Sequence, residues 1–334
     1  MAIALTMALQ SRLCLITALA FLCFVILNVM KIAVLDYRIP QEVQLQIQDL
    51  ASNRVAFPSD RCPEDERIRR TGDAEIALVT PWDKLDMTYL DACPNLKYIG
   101  LCGTSTANVD LDEIKRRGIA FTTMQSGNKD RNAEAAGGKE AVAEFFFMEL
   151  VRLARGIGRY QWKQGEAHQL KGRSLGIIGL GEVGKGIAHM ALAYKMSVAY
   201  YSPHRKQVWE DRGVEYRSKE ELLKSSEIIV LCSSTNVEVL GKAEFELMQP
   251  GSILVQACGG NPFDKPAFYD WIARDGNFAL LDMSANEQNY QLYKDKPRVI
   301  FSTNVAGDTY ESNLARGKKA LEHLKDFIKS QEES

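Results

Sequence analysis

The sequence predicts an α/β protein in which two doubly wound parallel sheets are covered by helices. Two observations predict this class: short apolar runs alternate with amphipathic stretches, and a glycine-rich turn follows one of the runs. The chain has 334 residues, of which 46% are apolar and 25% charged, enough to bury two cores. A formal net charge of -2 gives no basic face, so no nucleic acid partner is expected.

Residues 1–29 are predicted to be a hydrophobic leader outside the fold. The stretch 13–30, "LCLITALAFLCFVILNVM", reaches the length of a short membrane-spanning helix. Three interpretations stay open: an extension upstream of the fold, a membrane anchor, and a cleaved signal peptide. The seven cysteines lack paired spacing, so reduced thiols in a cytoplasmic protein are expected, with anchoring through residues 13–30 as the alternative.

The first alternation begins directly after the leader. Its predicted strands are the runs "KIAVLDY", "IALVT", "LKYIGL" and "GIAFTT". A polar, Gly-rich stretch at residues 125–140 then predicts a loop. The following "EAVAEFFFMELVRLARGIGRYQWKQG" is predicted to be one long helix. Its three consecutive phenylalanines, 145–147, are expected to pack either in the core or against another domain or subunit.

The second alternation runs through "SLGIIG", "MSVAYYS", "EIIVLCSS", "SILVQAC", "FALLDMS" and "RVIFSTN". Each of these runs ends in small or polar residues, where a doubly wound sheet presents its ligand crevice. The tail "LARGKKALEHLKDFIKSQEES" predicts an amphipathic helix. The four histidines lack close Cys or Asp/Glu partners, so no metal site is expected.

A nucleotide-binding motif follows the first strand of this second alternation. Gly179, Gly181 and Gly184 form G-x-G-x-x-G, with Glu182 and Val183 between them, and the motif opens a helix. The first glycine allows the tight turn, the second lets the backbone approach a pyrophosphate, and the third lets helix and strand pack closely. This context predicts a Rossmann-like dinucleotide site with the phosphates at the helix N-terminus.

The end of the next strand indicates which dinucleotide binds. An NAD site places an Asp or Glu about twenty residues after the glycines, but this strand ends at Ser202. His204, Arg205 and Lys206 follow, and they could hold a 2′-phosphate. NADP(H) is therefore favoured over NAD(H); the alternative is an ordinary solvated basic turn.

With this motif the chain resembles the D-isomer-specific 2-hydroxyacid dehydrogenases, which include glyoxylate/hydroxypyruvate reductases and phosphoglycerate dehydrogenase. The resemblance lies in "GTSTANVDLDEIKRRGIAFTT", "EAVAEFFFMELVRLARG", "LKGRSLGIIGLGEVGKGIA" and "LMQPGSILVQACGG", in this order. It implies a substrate domain of residues 31–133 plus 300–334, with a cofactor domain of residues 134–299 inserted in it. It also implies a homodimer formed through the long helix.

The same resemblance locates the catalytic positions. Members of the family use an Arg, a His and a Glu; here Gly259 and Val305 stand at the first two positions, and Glu287 keeps the third. Two of the three functional side chains are therefore missing. Asp308 and Tyr310 follow Val305 closely and could reach a bound carbonyl, although solvated loop residues are the plainer interpretation.

The remaining candidate positions also follow from the resemblance. Cys232 or Cys258 could act as a reactive thiol. Alternatively, both are small buried residues with no His or cation beside them in the sequence. The candidates beside the nicotinamide are Cys232, Ala257, Cys258 and Asp282, and those on the substrate side are Thr104, Ser105, Thr106 and Trp82.

Two functions are consistent with this pattern. The first is an NADP(H)-dependent oxidoreductase that acts on a small-molecule substrate with altered catalytic groups. The second is a catalytically silent cofactor-binding protein with a regulatory or scaffold role. The glycine motif supports both, whereas the loss of the Arg and the His favours the second.

Overall fold

The computed structural model describes residues 30–126, 138–163, 165–233, 237–282, 290–302 and 306–333. These residues form two compact units, one of residues 30–126 and 314–333 and the other of residues 138–313 with the gaps just given. The predicted α/β class with two parallel sheets is confirmed. The leader 1–29 and the candidate residues Glu287 and Val305 lie outside the described residues.

The first unit contains a four-stranded parallel sheet in the order β1-β2-β3-β4. Each strand lies within one of the four predicted apolar runs, and the first three are buried along their whole length. The described elements of this segment are β1 (Ile32–Val34), α1 (Gln41–Leu50), α2 (Glu64–Thr71), β2 (Ile76–Val79), α3 (Met87–Ala92), β3 (Tyr98–Leu101), α4 (Leu111–Arg116) and β4 (Ala120–Thr122).

The second unit is built on a seven-stranded parallel sheet in the order β11-β10-β9-β8-β5-β6-β7. Its strands and helices are α5 (Lys139–Arg155), β5 (Ser174–Ile178), α6 (Glu182–Ala193), β6 (Ser197–Tyr201), α7 (Gln207–Glu210), β7 (Glu215–Tyr216), α8 (Lys219–Ser225), β8 (Ile228–Leu231), α9 (Lys242–Leu247), β9 (Ile253–Gln256), α10 (Lys265–Ala273), β10 (Phe278–Asp282) and β11 (Val299–Ser302). A last helix, α11 (Tyr310–Glu332), follows. The strand order reverses at β5, and open α/β sheets bind ligands at such a point.

The long helix predicted after the Gly-rich loop is shorter than expected. Helix α5 ends at Arg155 because Gly156 adopts a left-handed conformation with φ of 68°, which ends the helix. Phe146 and Phe147 are buried within the core of their own unit, which favours the core interpretation of the phenylalanine run. Met148, on the same helix, is 47% exposed.

The point at which the chain returns to the first unit also differs from the prediction. The resemblance placed this return near residue 300, but β11 pairs in register with β10 and so belongs to the seven-stranded sheet. The chain joins the first unit from Leu314 onward. There Leu321 and Leu324 pack into the core of that unit, and Phe327 stacks on Tyr98 with 4.7 Å between ring centroids.

Among the residues described here, no helix combines the length and apolar character needed to cross a bilayer.

A buried histidine in the first unit should make stability depend on pH. His323 on α11 is 7% exposed, and its Nε2 lies 3.1 Å from the carbonyl oxygen of Ser126. Its buried Nδ1 has no hydrogen-bond partner in the described part of the chain. Burial and the charge of Lys319 lower the pKa of His323 below its ordinary value of 6.5, against the opposing effects of the Ser126 carbonyl, Glu322 and Asp326.

The thermal midpoint should therefore fall as the pH drops below about 6.5, the unfolded value. Because its folded-state pKa is lowered, neutral His323 contributes stability above this pH, and the contribution is lost as the pH falls through the folded pKa. Differential scanning fluorimetry between pH 7.5 and 5 measures the effect. His323→Gln, which can still donate to Ser126, should show a shallower decline, and an equal decline in both proteins would contradict the assignment.

Candidate functional site

Five strand ends of the second unit lie at one edge of its sheet. Gly179 follows β5, Ser202 follows β6, Cys232 follows β8, Ala257 follows β9, and Asp282 ends β10. All five strands are parallel neighbours, so their carboxyl ends share an edge. Each of these positions was predicted to contact the cofactor, and the sheet brings them to one edge.

The three motif glycines have different steric surroundings. Gly179 has φ of 99°, and a Cβ there would lie 2.5 Å from the carbonyl oxygen of Cys232. A Cβ on Gly184 would lie 2.2 Å from the carbonyl oxygen of Gly179. Gly181 differs from both, because it is an exposed helix N-cap with open space within 4 Å of its missing Cβ. Two glycines are therefore required by packing, and the third leaves room for a ligand.

The described residues fit a dinucleotide at this turn. Helix α6 has twelve residues and begins directly after Gly181, so its free N–H groups can bind phosphate oxygens. Glu182, in its first turn, would repel phosphate by itself. Its carboxylate lies 2.7 Å from Nζ of Lys185 and 3.8 Å from Nζ of Lys139, which balance the charge. Val183 packs against the core.

Lys139 is a residue that sequence analysis did not identify. It starts α5, far from the glycine motif in the sequence, and the close packing of α5 on α6 brings it there. A Cβ on Gly186 would lie 2.8 Å from the carbonyl oxygen of Lys139, so this glycine permits the close approach. Nothing in the local sequence around Lys139 signals this contact.

The basic turn after β6 is held by its own side chains. Ser202 is buried and its hydroxyl donates to the carbonyl oxygen of His204 at 2.7 Å. The backbone N–H of Lys206 donates to the Tyr200 hydroxyl oxygen at 2.5 Å. His204 itself is exposed. The turn thus has a defined backbone and leaves the histidine ring accessible.

Arg205 of this turn already has an anionic partner. Its guanidinium donates to both carboxylate oxygens of Glu210 and lies 5.1 Å from the ring centroid of Tyr216. Hydrogen bonds from Arg205 hold the pKa of Glu210 below its usual range. The Arg205 side chain is 64% exposed, and exposed ion pairs contribute little because water screens them. A phosphate could therefore share this guanidinium with Glu210.

The two cysteines at the crevice are poor nucleophiles. Burial raises the pKa of Cys232 well above its ordinary value, and the nearby Cys258 adds to this effect. Burial also raises the pKa of Cys258 to about 11, although Ser233 opposes the shift by hydrogen bonding. Both thiols are therefore protonated at neutral pH, whereas the nucleophilic form is the thiolate. These properties favour a packing role over a nucleophilic one for Cys258, which is buried, and for Cys232, which is half-buried.

The turn after β9 is held by a side chain that sequence analysis overlooked. Gln256 is fully buried, and its Nε2 donates to the carbonyl oxygens of Cys258 and Gly260 at 3.0 and 3.1 Å. Gly259 lies between these two anchors and offers no side chain. Asp282, at the end of the neighbouring strand β10, is buried and accepts a hydrogen bond from the N–H of Ala306 at 3.3 Å.

Asp308 and Tyr310 lie in the second unit, where α11 begins. Asp308 accepts a hydrogen bond from Nδ2 of Asn313 at 2.6 Å, so one of its oxygens is engaged locally. Tyr310 is 60% exposed. The exposed Tyr310 lacks the partial desolvation that is usual for a proton donor, whereas Asp308 is half-buried. No cluster of three or more His, Cys, Asp or Glu suited to a metal ion occurs in the described ranges.

The substrate-side candidates lie in the first unit, in the loops after β2 and β3. Thr104 is exposed, and Ser105 and Thr106 are half-buried. Trp82 is also half-buried, and its ring lies 4.5 Å from the guanidinium carbon of Arg38. This stacking was not anticipated from the sequence.

Comparison with known proteins places this geometry in a family. Residues 146–306 match the family domain described as "D-isomer specific 2-hydroxyacid dehydrogenase, NAD binding domain". The chain is 30% identical over 293 residues to a glyoxylate reductase of Thermococcus litoralis, covering 80% of this chain and 83% of that protein. The chain belongs to the D-isomer-specific 2-hydroxyacid dehydrogenase family.

Solved structures agree with this family's fold. The chain resembles an acyclic imino acid reductase in complex with NADPH and D-arginine, with a TM-score of 0.71 and 22% identity over 90% of this chain and 98% of that one. It also resembles NAD⁺-bound 3-phosphoglycerate dehydrogenase of Entamoeba histolytica, with a TM-score of 0.72 and 21% identity over 90% and 95% of the chains. The family domain supports a nicotinamide cofactor for this chain.

Proposed function

We propose that this family member is an NADP(H)-dependent oxidoreductase that reduces a 2-oxoacid or a related carbonyl with altered catalytic groups. The observation that carries the cofactor preference is the end of β6. Ser202 occupies the position at which an NAD site places a carboxylate, and Arg205 follows it in an exposed turn. A 2′-phosphate would meet no carboxylate at position 202 and could share the Arg205 guanidinium with Glu210.

The chemistry requires a cation for the substrate and an acid for the developing alkoxide. When bound, the nicotinamide supplies the hydride. Of the chain's own residues, Gly181 and the N-terminus of α6 would bind the pyrophosphate, and the backbone N–H groups of the Thr104 loop would bind a carboxylate. Gly259 contributes no charge at the position where the family has its arginine.

A second candidate function is a cofactor-binding protein without turnover. The favouring observation is the glycine at position 259, which provides no cation where the family has its arginine. In this case NADP(H) binding would serve regulation or scaffolding.

Calorimetric titration of the full chain with NADPH and NADH, followed by glyoxylate and hydroxypyruvate, should show tighter NADPH binding and then heat of turnover. Ser202→Asp should weaken NADPH binding at least tenfold, about 1.4 kcal/mol, and leave NADH binding unchanged or tighter. Ser197→Asp, at the exposed start of the same strand, is the matched control and should change neither.

The outcomes of this titration separate the proposals. Tight NADPH binding without heat of turnover would favour the silent cofactor-binding protein. Equal affinity for both dinucleotides, unaffected by Ser202→Asp, would refute the NADP(H) preference. Failure of both dinucleotides to bind would refute both functions.

A further inference from the structure

A buried arginine lies beside the substrate-side loops of the first unit. Arg38 follows β1 by four residues and is 9% exposed. Its Nε and Nη2 donate to the two carboxylate oxygens of Asp36 at 2.8 and 2.6 Å. Its Nη2 also donates to the carbonyl oxygen of Cys102 at 3.2 Å. Arg38 therefore connects the loop after β1 with the start of the loop after β3.

The guanidinium is held in place but is not saturated with partners. Its plane stacks on Trp82, with 4.5 Å between Cζ and the ring centroid. A guanidinium has five N–H donors, and the contacts to Asp36 and Cys102 use Nε and Nη2. Nη1 makes no hydrogen bond to any residue that the structure describes. One edge of a fixed guanidinium thus remains available to an acceptor.

Arg38 keeps its charge in this buried position. Burial by itself would lower the pKa of Arg38, but the charge and hydrogen bonds of Asp36 outweigh burial and raise it above the ordinary value. Nη1 is not among the fully buried polar atoms without a partner in the described residues, so it remains accessible to water or to an incoming anion.

Free backbone donors lie directly after the residue that Arg38 contacts. The N–H groups of Thr104, Ser105 and Thr106 donate no hydrogen bond within the described ranges. The position of this loop is fixed by Gly103, because a Cβ there would lie 2.1 Å from Cγ of Pro81. The arginine and the N–H groups therefore occupy the same end of the four-stranded sheet, where β1 and β3 terminate.

We propose that Arg38, held between Asp36 and the Trp82 ring, binds a carboxylate of the substrate together with the N–H groups of residues 104–106. This inference rests on the proposed function and adds Arg38 to the residues that hold the substrate carboxylate. Trp82 then acts as a positioning residue that keeps the guanidinium plane in place.

The test uses oxalate, a small dicarboxylate, titrated calorimetrically into the full chain with and without saturating NADPH. Removing Arg38 alone would leave Asp36 buried without its partner and could unfold the protein, so both are changed together. Asp36→Asn with Arg38→Met should weaken oxalate binding at least tenfold, about 1.4 kcal/mol. Asp36→Asn alone should strengthen it about threefold or more, because the guanidinium loses its competing carboxylate.

The matched control is Arg117→Met. Arg117 also pairs with carboxylates in the first unit, those of Asp91 and Glu113, but it precedes β4 and so lies at the opposite end of the sheet. The Arg117→Met substitution should leave oxalate binding unchanged. If both Asp36 variants lower the thermal midpoint and bind oxalate like the parent, the role of Arg38 is structural and the inference is overturned.

Failure of the inference can be distinguished from failure of the proposed function. If the chain binds NADPH and the double variant without Arg38 binds oxalate as tightly as the parent, only the inference is overturned. If the chain binds no NADPH but its oxalate binding depends on Arg38, the carboxylate site is upheld and the proposed oxidoreductase is refuted.

Discussion

Replacing Gly181 by valine should abolish binding of the nicotinamide cofactor and leave the thermal midpoint almost unchanged. Gly181 has φ of -82° and ψ of -162°, an extended conformation that valine adopts readily, and its missing Cβ points into open space. The added side chain would occupy the position at which the backbone has to approach the pyrophosphate. We expect the dissociation constant to rise at least a hundredfold, about 2.7 kcal/mol, by calorimetry.

Two further glycine substitutions control this result. Gly241→Val changes a helix N-cap with a similar backbone conformation, φ of -96° and ψ of -169°, outside the nucleotide motif, so cofactor binding should persist. Gly184→Val should instead lower the thermal midpoint, since its Cβ would collide with the carbonyl oxygen of Gly179, and overpacking of this kind costs roughly 1–3 kcal/mol. Undiminished cofactor binding by the Gly181 variant would place the pyrophosphate elsewhere.

The combined substitution Gly259→Arg with Val305→His should create or increase reduction of glyoxylate at least a hundredfold. By family resemblance these positions carry the cation that holds the substrate and the acid that protonates the alkoxide. One such preorganised group is worth about 10²–10³ in rate. Gly259 does not have a left-handed backbone, so it can accept an arginine without strain there. The measurement is NADPH oxidation at 340 nm under saturating cofactor.

Each single variant is the control for the pair, since groups that act as a unit are non-additive. An inert double variant that still binds NADPH would show that the differences from the family extend beyond two side chains.

Most of the fold could be predicted because parallel strands are continuous apolar runs. Ten of the eleven described strands lie in runs that sequence analysis identified, from Ile32–Val34 to Val299–Ser302. The two-residue strand Glu215–Tyr216 was missed because it is too short and polar for a pattern. Where a chain passes from one domain to the other is a tertiary property, and this is why the boundary predicted near residue 300 falls within the strand Val299–Ser302.

The candidate site was predicted less completely, for a related reason. The glycines and Ser202 are local in sequence, so a motif reveals them. Arg38 and Trp82 meet through the ends of different strands, and Lys139 reaches Glu182 through helix packing. Gln256 could have been identified from the sequence, because it is an amide at the end of an apolar strand. The structure shows it fully buried, and a buried amide needs hydrogen-bond partners.

The return of the chain at Leu314 has a consequence for the order of folding during synthesis. The core of the four-stranded sheet includes Leu321 and Leu324, so it stays open on the ribosome until the final helix has emerged. The nucleotide-binding unit is complete earlier, and domains generally fold as units while the chain grows. The first segment to be made is thus among the last to complete its core, and its apolar strands stay uncovered for longer than those of the inserted unit.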